Sequence, residues 1–159
     1  LWQQIHRNRL VFIKTTIQEF LNENVENSFG KFVNDVLNYK TPINVNDLPS
    51  KKGHPIDNLP KNIDFIYVDS NLFEKEQTAW GEVSKNKIAY HDRPIDDKYW
   101  NKMIDKGKEP LILIDFDEDR NQLRVVDGNH RLTVYLNKGI SKIPTVITNN
   151  TINYIKSIS

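Results

Sequence analysis

Apolar residues recur along the start of the chain with a period near 3.6. Ile5, Phe12, Ile13, Ile17, Phe20, Leu21 and Val25 are spaced by Arg7, Arg9, Lys14, Gln18 and Glu19. That spacing predicts an amphipathic helix over residues 2–24, breaking near Asn27-Ser28. A second helix follows, with Phe29, Phe32, Val33, Val36 and Leu37 on one face. Such faces cannot all stay in water, so residues 1–39 are expected to bury them on the rest of the chain or on a protein partner. Residues 40–62 lose the period and hold Pro42, Pro49, Pro55, Pro60 and Gly53. They read as a loop or wrapping linker.

From residue 63 the pattern shortens into strand-sized runs. IDFIYV at 63–68 is a strand candidate. Residues 70–94 are polar and irregular, with a short strand over Lys87–Tyr90. A helix is expected from Asp96 or Asp97 to a stop at Gly107. Leu111–Phe116 and Gln122–Val126 read as two strands joined by DEDRN. Arg131–Lys138 reads as a helix closed by Gly139, and Ile143–Ile147 as a last strand. The order β, loop, α, β, β, α, β describes a small α/β domain over 63–159. A helical extension and linker over 1–62 precede it.

Composition narrows the class. A hydrophobic content of 38% and a charged content of 27% are ordinary for a soluble globular protein. The 159 residues suit one sizeable core. Net charge is +1, so no global basic footprint points to nucleic acid or to an anionic membrane. No apolar run approaches the roughly 20 residues that span a bilayer. With Cys at 0, disulfides, thiolate metal sites and cysteine nucleophiles are excluded. No signal peptide is visible. The chain opens on Leu1 rather than Met, so a processed form or an excised piece of a longer protein is open. A soluble, cytoplasmic protein is the expectation, with a secreted effector as the alternative.

Residues 127–131 read DGNHR: acid, glycine, amide, imidazole and guanidinium, set between a strand and a helix. Such a turn leaves the first helical N–H groups unpaired, with the positive end of the helix dipole behind them. Gly128 permits a tight turn and lets a ligand approach without meeting a Cβ. Asn129 is expected to cap the helix with its side-chain oxygen. Arg131 in the first turn could grip a phosphate bidentately, and His130 could donate a hydrogen bond to one of its oxygens. The pattern describes an anion site. A plain, solvated Asp-Gly-Asn turn is the alternative.

The longer run LRVVDGNHRLTVYLNKGISKIPTVI resembles the core of the ParB/sulfiredoxin superfamily. There a strand feeds a D-G-x-H-R or G-G-C-H-R turn, then a helix, a glycine and an Ile-Pro-led strand. Asp127, Gly128, His130, Arg131, Gly139 and Pro144 stand at the matching positions. Upstream, KYWNKMIDKGKEPLILID is similar to the family's preceding helix and Pro-led strand. IDFIYVDSNLF is similar to its opening strand, and EQT to its P-T-Q-type loop. The resemblance covers residues 63–148 and implies a small mixed sheet with packed helices. Residues 1–60 match nothing in it.

The branches of the family imply different chemistries. Sulfiredoxins attack with the cysteine of the turn; Asn129 stands at that position here, which excludes sulfinic acid repair. Chromosome-partition ParB proteins carry a G-E-R-R-type CTP motif and a downstream helix-turn-helix domain, and both differ here. DGNHR is most similar to the free-serine kinases, which use an acidic residue to activate the substrate hydroxyl. The resemblance therefore implies a nucleotide ligand, ATP with Mg²⁺, and a phosphotransferase or NTPase acting on a small-molecule or protein acceptor. Asp127, His130 and Arg131 are its catalytic candidates, with Gly128 and Asn129 in the grip.

Phosphoryl transfer to a hydroxyl needs a charge grip and a base near the acceptor. Glu76 in EKEQT is the natural base, with Glu82 as the second candidate and a solvated carboxylate as the alternative for either. Gln77 matches the ParB-like pattern and is placed at the substrate. His91, Asp92 and Arg93 precede a helix; sulfiredoxins have an Arg-Pro in a similar place, which puts Arg93 at a phosphate. Lys98 stands where a sulfiredoxin lysine lines the nucleotide. DFDED lacks the glycine and distal glutamate of a calcium loop, and His6 and His54 show no metal spacing. Two rival functions remain. One is a ParB-like nuclease, such as the toxic domain of a larger secreted protein, for which the scattered lysines offer no basic groove. The other is a non-catalytic binding module.

Overall fold

A computed structural model describes residues 26–47, 55–60, 62–94 and 96–159. The helix expected over 2–24 lies outside them. Helix α1 spans residues 26–37, running through Asn27-Ser28 where a break was expected; it buries Phe32 and Val36 in the main core as the spacing predicts, while Leu37 is exposed. Six strands form one mixed sheet: β1 (Ile66–Asp69), β2 (Phe73–Lys75), β3 (Ile88–Tyr90), β4 (Ile112–Asp117), β5 (Gln122–Asp127) and β6 (Lys142–Ile147), in the order β1-β6-β4-β5-β3-β2. The protein is thus a mixed α/β fold.

β1 pairs antiparallel with β6, and β4 with β5, while β6 runs parallel to β4. β2, β3 and β5 are mutually parallel neighbours. Their carboxyl ends therefore open on the same side of the sheet, the end at which α/β sheets present ligand sites. Residues 76, 91 and 128 follow these three ends directly.

Helix α2 (Lys98–Asp105) starts at Asp97, whose side chain accepts from Trp100 N at 3.3 Å. Its stop carries Gly107 at φ 76°. Helix α3 (Asn129–Asn137) packs between β4 and α2, and residues 131–135 are all buried. A helix covered on both sides has no wet face, so its polar members must find partners inside. Helix α4 (Asn149–Ile158) is capped by Thr148, whose hydroxyl accepts from Thr151 N at 3.2 Å. It buries Ile152 and Ile155 and stacks Tyr154 on Phe116 at 4.0 Å.

Two described parts of the segment after α1 pack against the sheet. Ile43 bonds Ile147 O at 3.1 Å and receives Asn149 N at 2.9 Å. A 3-10 turn over Pro55–Asn58 inserts Ile56 against Leu113 and Val146. That turn lies beside the DGNHR residues.

Candidate functional site

The sheet geometry begins the site. Register between β4 and β5 shifts between Leu113 and Ile114, which pair with Asp127 and Val125 respectively. Val126 is the extra residue of this bulge and faces solvent, while Asp127 turns inward and is buried. Bulges beside sites commonly re-aim a side chain in this way. Asp127 Oδ2 accepts from Ile56 N at 3.0 Å. The carboxylate expected among the catalytic groups therefore holds the 55–58 turn.

Gly128 takes φ +93°, which only glycine adopts readily. A Cβ there would meet Ile112 Cγ2 at 2.9 Å and Ile112 Cα at 3.1 Å. The glycine is needed for backbone conformation and for packing on β4, rather than to clear a ligand's path. Gly128 also occupies the cap position, with no side-chain cap. Asn129 sits one residue inside the helix, contrary to expectation. Its Oδ1 accepts from His91 N at 2.9 Å and its Nδ2 donates to Val125 O at 3.3 Å. Thr133 Oγ1 accepts from Arg93 N at 3.3 Å. Side chains of α3 thus clip the 91–93 segment to the turn.

Arg131 departs furthest from the sequence reading. It is only 5% exposed. Nη1 donates to Leu111 O at 2.8 Å, Nη2 to Asp57 Oδ1 at 2.6 Å, and the guanidinium lies 4.1 Å over the Trp100 ring. Its donors face protein on several sides because α3 begins two residues earlier than expected, which carries Arg131 inward. His130 stays half-exposed, with Nδ1 3.5 Å from Asp97 Oδ2, too long for a strong bond. Arg93, Trp100 and residues 126–131 line a pocket of about 190 Å³. Arg93 is exposed there and is its freest guanidinium. Lys98 is exposed on α2 and lies outside this lining.

Glu76, the expected base, is buried, with its side chain 2% exposed. Oε1 meets Nη1 of Arg124, and Oε2 lies 2.8 Å from Nδ1 of His91. Glu76 is thus held by two partners, and His91, with 27% of its side chain exposed, is the member of the pair more open to solvent. Its Nδ1 is taken by the carboxylate, so Nε2 is the nitrogen left to accept a proton. Burial, and then the positive charge of Arg93, hold its pKa below the usual 6.5. An imidazole so held is neutral near pH 7 and competent as a base.

Arg124 anchors the dyad from behind. It is buried on β5, donates Nη2 to Trp80 O and Gly81 O at 3.3 Å each, and sets Nε 3.4 Å from Asp117 Oδ2. Burial lowers its pKa. Glu76, Gln77, Thr78, Ala79, His91, Asp92 and Arg93 line a second pocket of about 390 Å³. Arg93 belongs to both pockets, so the dyad and the DGNHR turn open on adjoining spaces. Gln77 is exposed at the dyad pocket, whereas Glu82 lines a separate groove with Lys85 and Arg120 and is not brought to the site. The placing of His91 against Glu76, with Arg124 behind them, is what sequence reasoning missed. A charged residue alone inside the apolar run LRVVD was the available signal.

No group of three or more His, Cys, Asp or Glu side chains among the described residues forms a metal cage. The acids near the turn are engaged: Asp57 with Arg131, and Asp97 with α2 and His130. No helix among the described residues is long and apolar enough to cross a membrane.

Fold and site together define a mixed α/β protein with a polar cleft at the carboxyl ends of three parallel strands. Comparisons with protein-family models, curated proteins and solved structures find no match to this chain.

Proposed function

We propose that the chain is an enzyme of phosphate-group chemistry, binding a nucleotide and moving or hydrolysing a phosphoryl group. The observation that carries this reading is the adjacency of two spaces through Arg93. One holds a neutral imidazole backed by a buried carboxylate. The other lies at the uncapped N-terminus of α3. A phosphate between Arg93, His130 and the helix N-terminus gains charge-assisted hydrogen bonds and the helix dipole. His91 Nε2 then takes the proton of an acceptor hydroxyl or of water, while Glu76 holds the imidazole in that tautomer and stabilises the imidazolium. The resemblance of residues 63–148 to the ParB/sulfiredoxin superfamily supports the same chemistry, with ATP as the first nucleotide to try. Magnesium would arrive as the counter-ion of the triphosphate. Cleavage of nucleic acid uses the same groups, but a net charge of +1 and small adjoining pockets favour the free nucleotide.

The test is incubation with each nucleoside triphosphate and Mg²⁺, reading phosphate release and transfer to serine or protein. His91→Gln should lower turnover by about 10²–10⁴-fold, the usual worth of a positioned base, with nucleotide affinity held. Arg93→Ala should weaken binding roughly 10-fold to 100-fold, the loss of one charge-assisted contact. If no nucleotide is turned over or raises the melting temperature, the reading fails.

A further inference from the structure

β3 and β5 part where the site begins. Their parallel ladder is registered by the pair Ala89↔Arg124. Carried one step further, it sets the His91 N–H against the Val125 carbonyl. The two groups do face each other, but across the Asn129 side chain. Its Oδ1 accepts from His91 N at 2.9 Å, and its Nδ2 donates to Val125 O at 3.3 Å. A side-chain amide carries the same kinds of donor and acceptor as a peptide group. It therefore satisfies both strands while holding them one amide apart. The N–H of Arg93 is treated in the same way. It donates to Thr133 Oγ1 at 3.3 Å, and that hydroxyl donates to Asn129 O at 2.9 Å. Asn129 and Thr133 are four residues apart, so they share one face of α3. The helix has taken over residues 91–93 from the sheet.

The separation bears on both halves of the cleft. His91 and Arg93 line the space beside Glu76, while Arg93 and Asn129 line the space beside the DGNHR turn. We infer that Asn129 is a positioning residue: its amide is a wedge in the β3–β5 ladder that sets the His91 imidazole against Glu76. Thr133 holds the Arg93 backbone in the same manner. Asn129 acts on the reaction only through His91. Its side-chain type matters. Aspartate matches the shape but has no donor for Val125 O, and alanine leaves the His91 N–H and the Val125 carbonyl free to meet directly. The effect on turnover rests on the proposed function, whereas the wedge itself does not.

The test measures kcat and the ATP dissociation constant with Mg²⁺ on the full chain. Beside these, ¹H–¹⁵N correlation spectra of neutral His91 read which ring nitrogen carries the proton. The wild type should show the Nδ1–H tautomer that the Glu76 contact requires. Asn129→Ala should mix the tautomers and lower kcat about 10-fold to 100-fold, the cost of a small misplacement, with ATP affinity held. Asn129→Ser is too short to span both groups yet suits a helix start. It should behave as alanine does, and it decides the matter if the alanine variant does not fold. Thr133→Val, of the same shape without the hydroxyl, should give the reverse split: weaker binding through Arg93, with kcat held. Equal losses of kcat and affinity in the Asn129 and Thr133 variants would mark a merely structural contact and overturn the assignment. A single Nδ1–H tautomer that persists in the Asn129 variants overturns it too, whether or not nucleotide is turned over. A wild type that turns over no nucleotide defeats the proposed function, and mixed tautomers in Asn129→Ala would then still uphold the wedge.

Discussion

Replacing Arg131 by alanine decides whether its guanidinium is an internal clamp or an open grip. Its bond to Leu111 O, 2.8 Å long and shielded from water, involves a charged donor and is worth about 1.5–3 kcal/mol. The stack on Trp100 at 4.1 Å adds about 0.5–2 kcal/mol. The pair with Asp57 adds less than its 2.6 Å suggests, because the Asp57 side chain is 56% exposed; such a pair gives about 0–1 kcal/mol. These contributions share one side chain and do not simply add, so the expected loss is roughly 2–5 kcal/mol. For a chain of this size each kcal/mol moves Tm by about 2–4 °C, a fall of roughly 4–20 °C in all. Urea unfolding followed by far-UV circular dichroism, with the m-value checked for constancy, measures it. Asp57→Asn serves as the control and should cost no more than about 1 kcal/mol. An Arg131→Ala protein within 1 kcal/mol of wild type would refute the clamp and return Arg131 to the ligand.

Gly128→Ala should lose about 1–3 kcal/mol through backbone strain alone, and more because the Ile112 backbone cannot yield to the new Cβ; thermal melting reports the loss. Glu76→Gln should destabilise by about 3–5 kcal/mol, since it leaves Arg124 a buried charge without its closest counter-charge. An unfolding curve unchanged from wild type would contradict that pairing. His91 should titrate below 6.5 in an NMR pH series, and Arg93→Ala should move it upward, because the Arg93 charge is the second cause of its depression. With the folded pKa depressed, the unfolded chain binds more protons between the two values. The His91 contribution to stability is therefore complete above 6.5 and is lost as pH falls through the folded value. A midpoint above 6.5 would overturn the assignment of a neutral base.

Elements with strong local signals were legible. The Asp97 cap and the Gly107 stop bracket α2, and β4, β5 and β6 fall within a residue or two of the runs LILIDF, QLRVV and IPTVI. Helix α1 buries Phe32 and Val36 as the spacing requires. The misses share a cause. β2 has three residues and only a parallel neighbour to define it, so no period could reveal it inside an irregular stretch. β1 begins at Ile66 rather than Ile63, because pairing with β6 sets its start. α4 follows β6 after one capping threonine, and its apolar positions, Ile152 and Ile155, are too few to announce a helix. α3 starts two residues before the point its sequence suggests, because it is buried nearly all round, which erases the amphipathic pattern that marks a helix start.

The site shows why polar residues in a turn are harder to read than apolar ones in a helix. An apolar residue needs only to be covered, and periodicity says which face is covered. A buried acid or guanidinium needs a particular partner, and that partner can lie anywhere in the chain. Asp127 finds its partner 71 residues away at Ile56, and Arg131 finds Asp57 at 74. Both partners sit in a proline-rich segment whose composition predicts only a loop. DGNHR thus satisfies two of its charges within the fold and leaves Arg93 and His130 as the side chains facing the pocket. Glu76 repeats the lesson in reverse. The sequence marks it as a base, and the fold buries it against His91, fifteen residues on, because adjacent parallel strands bring their carboxyl ends together. What a local motif supplies is the choice of functional groups; which of them meets the substrate is decided by strand order.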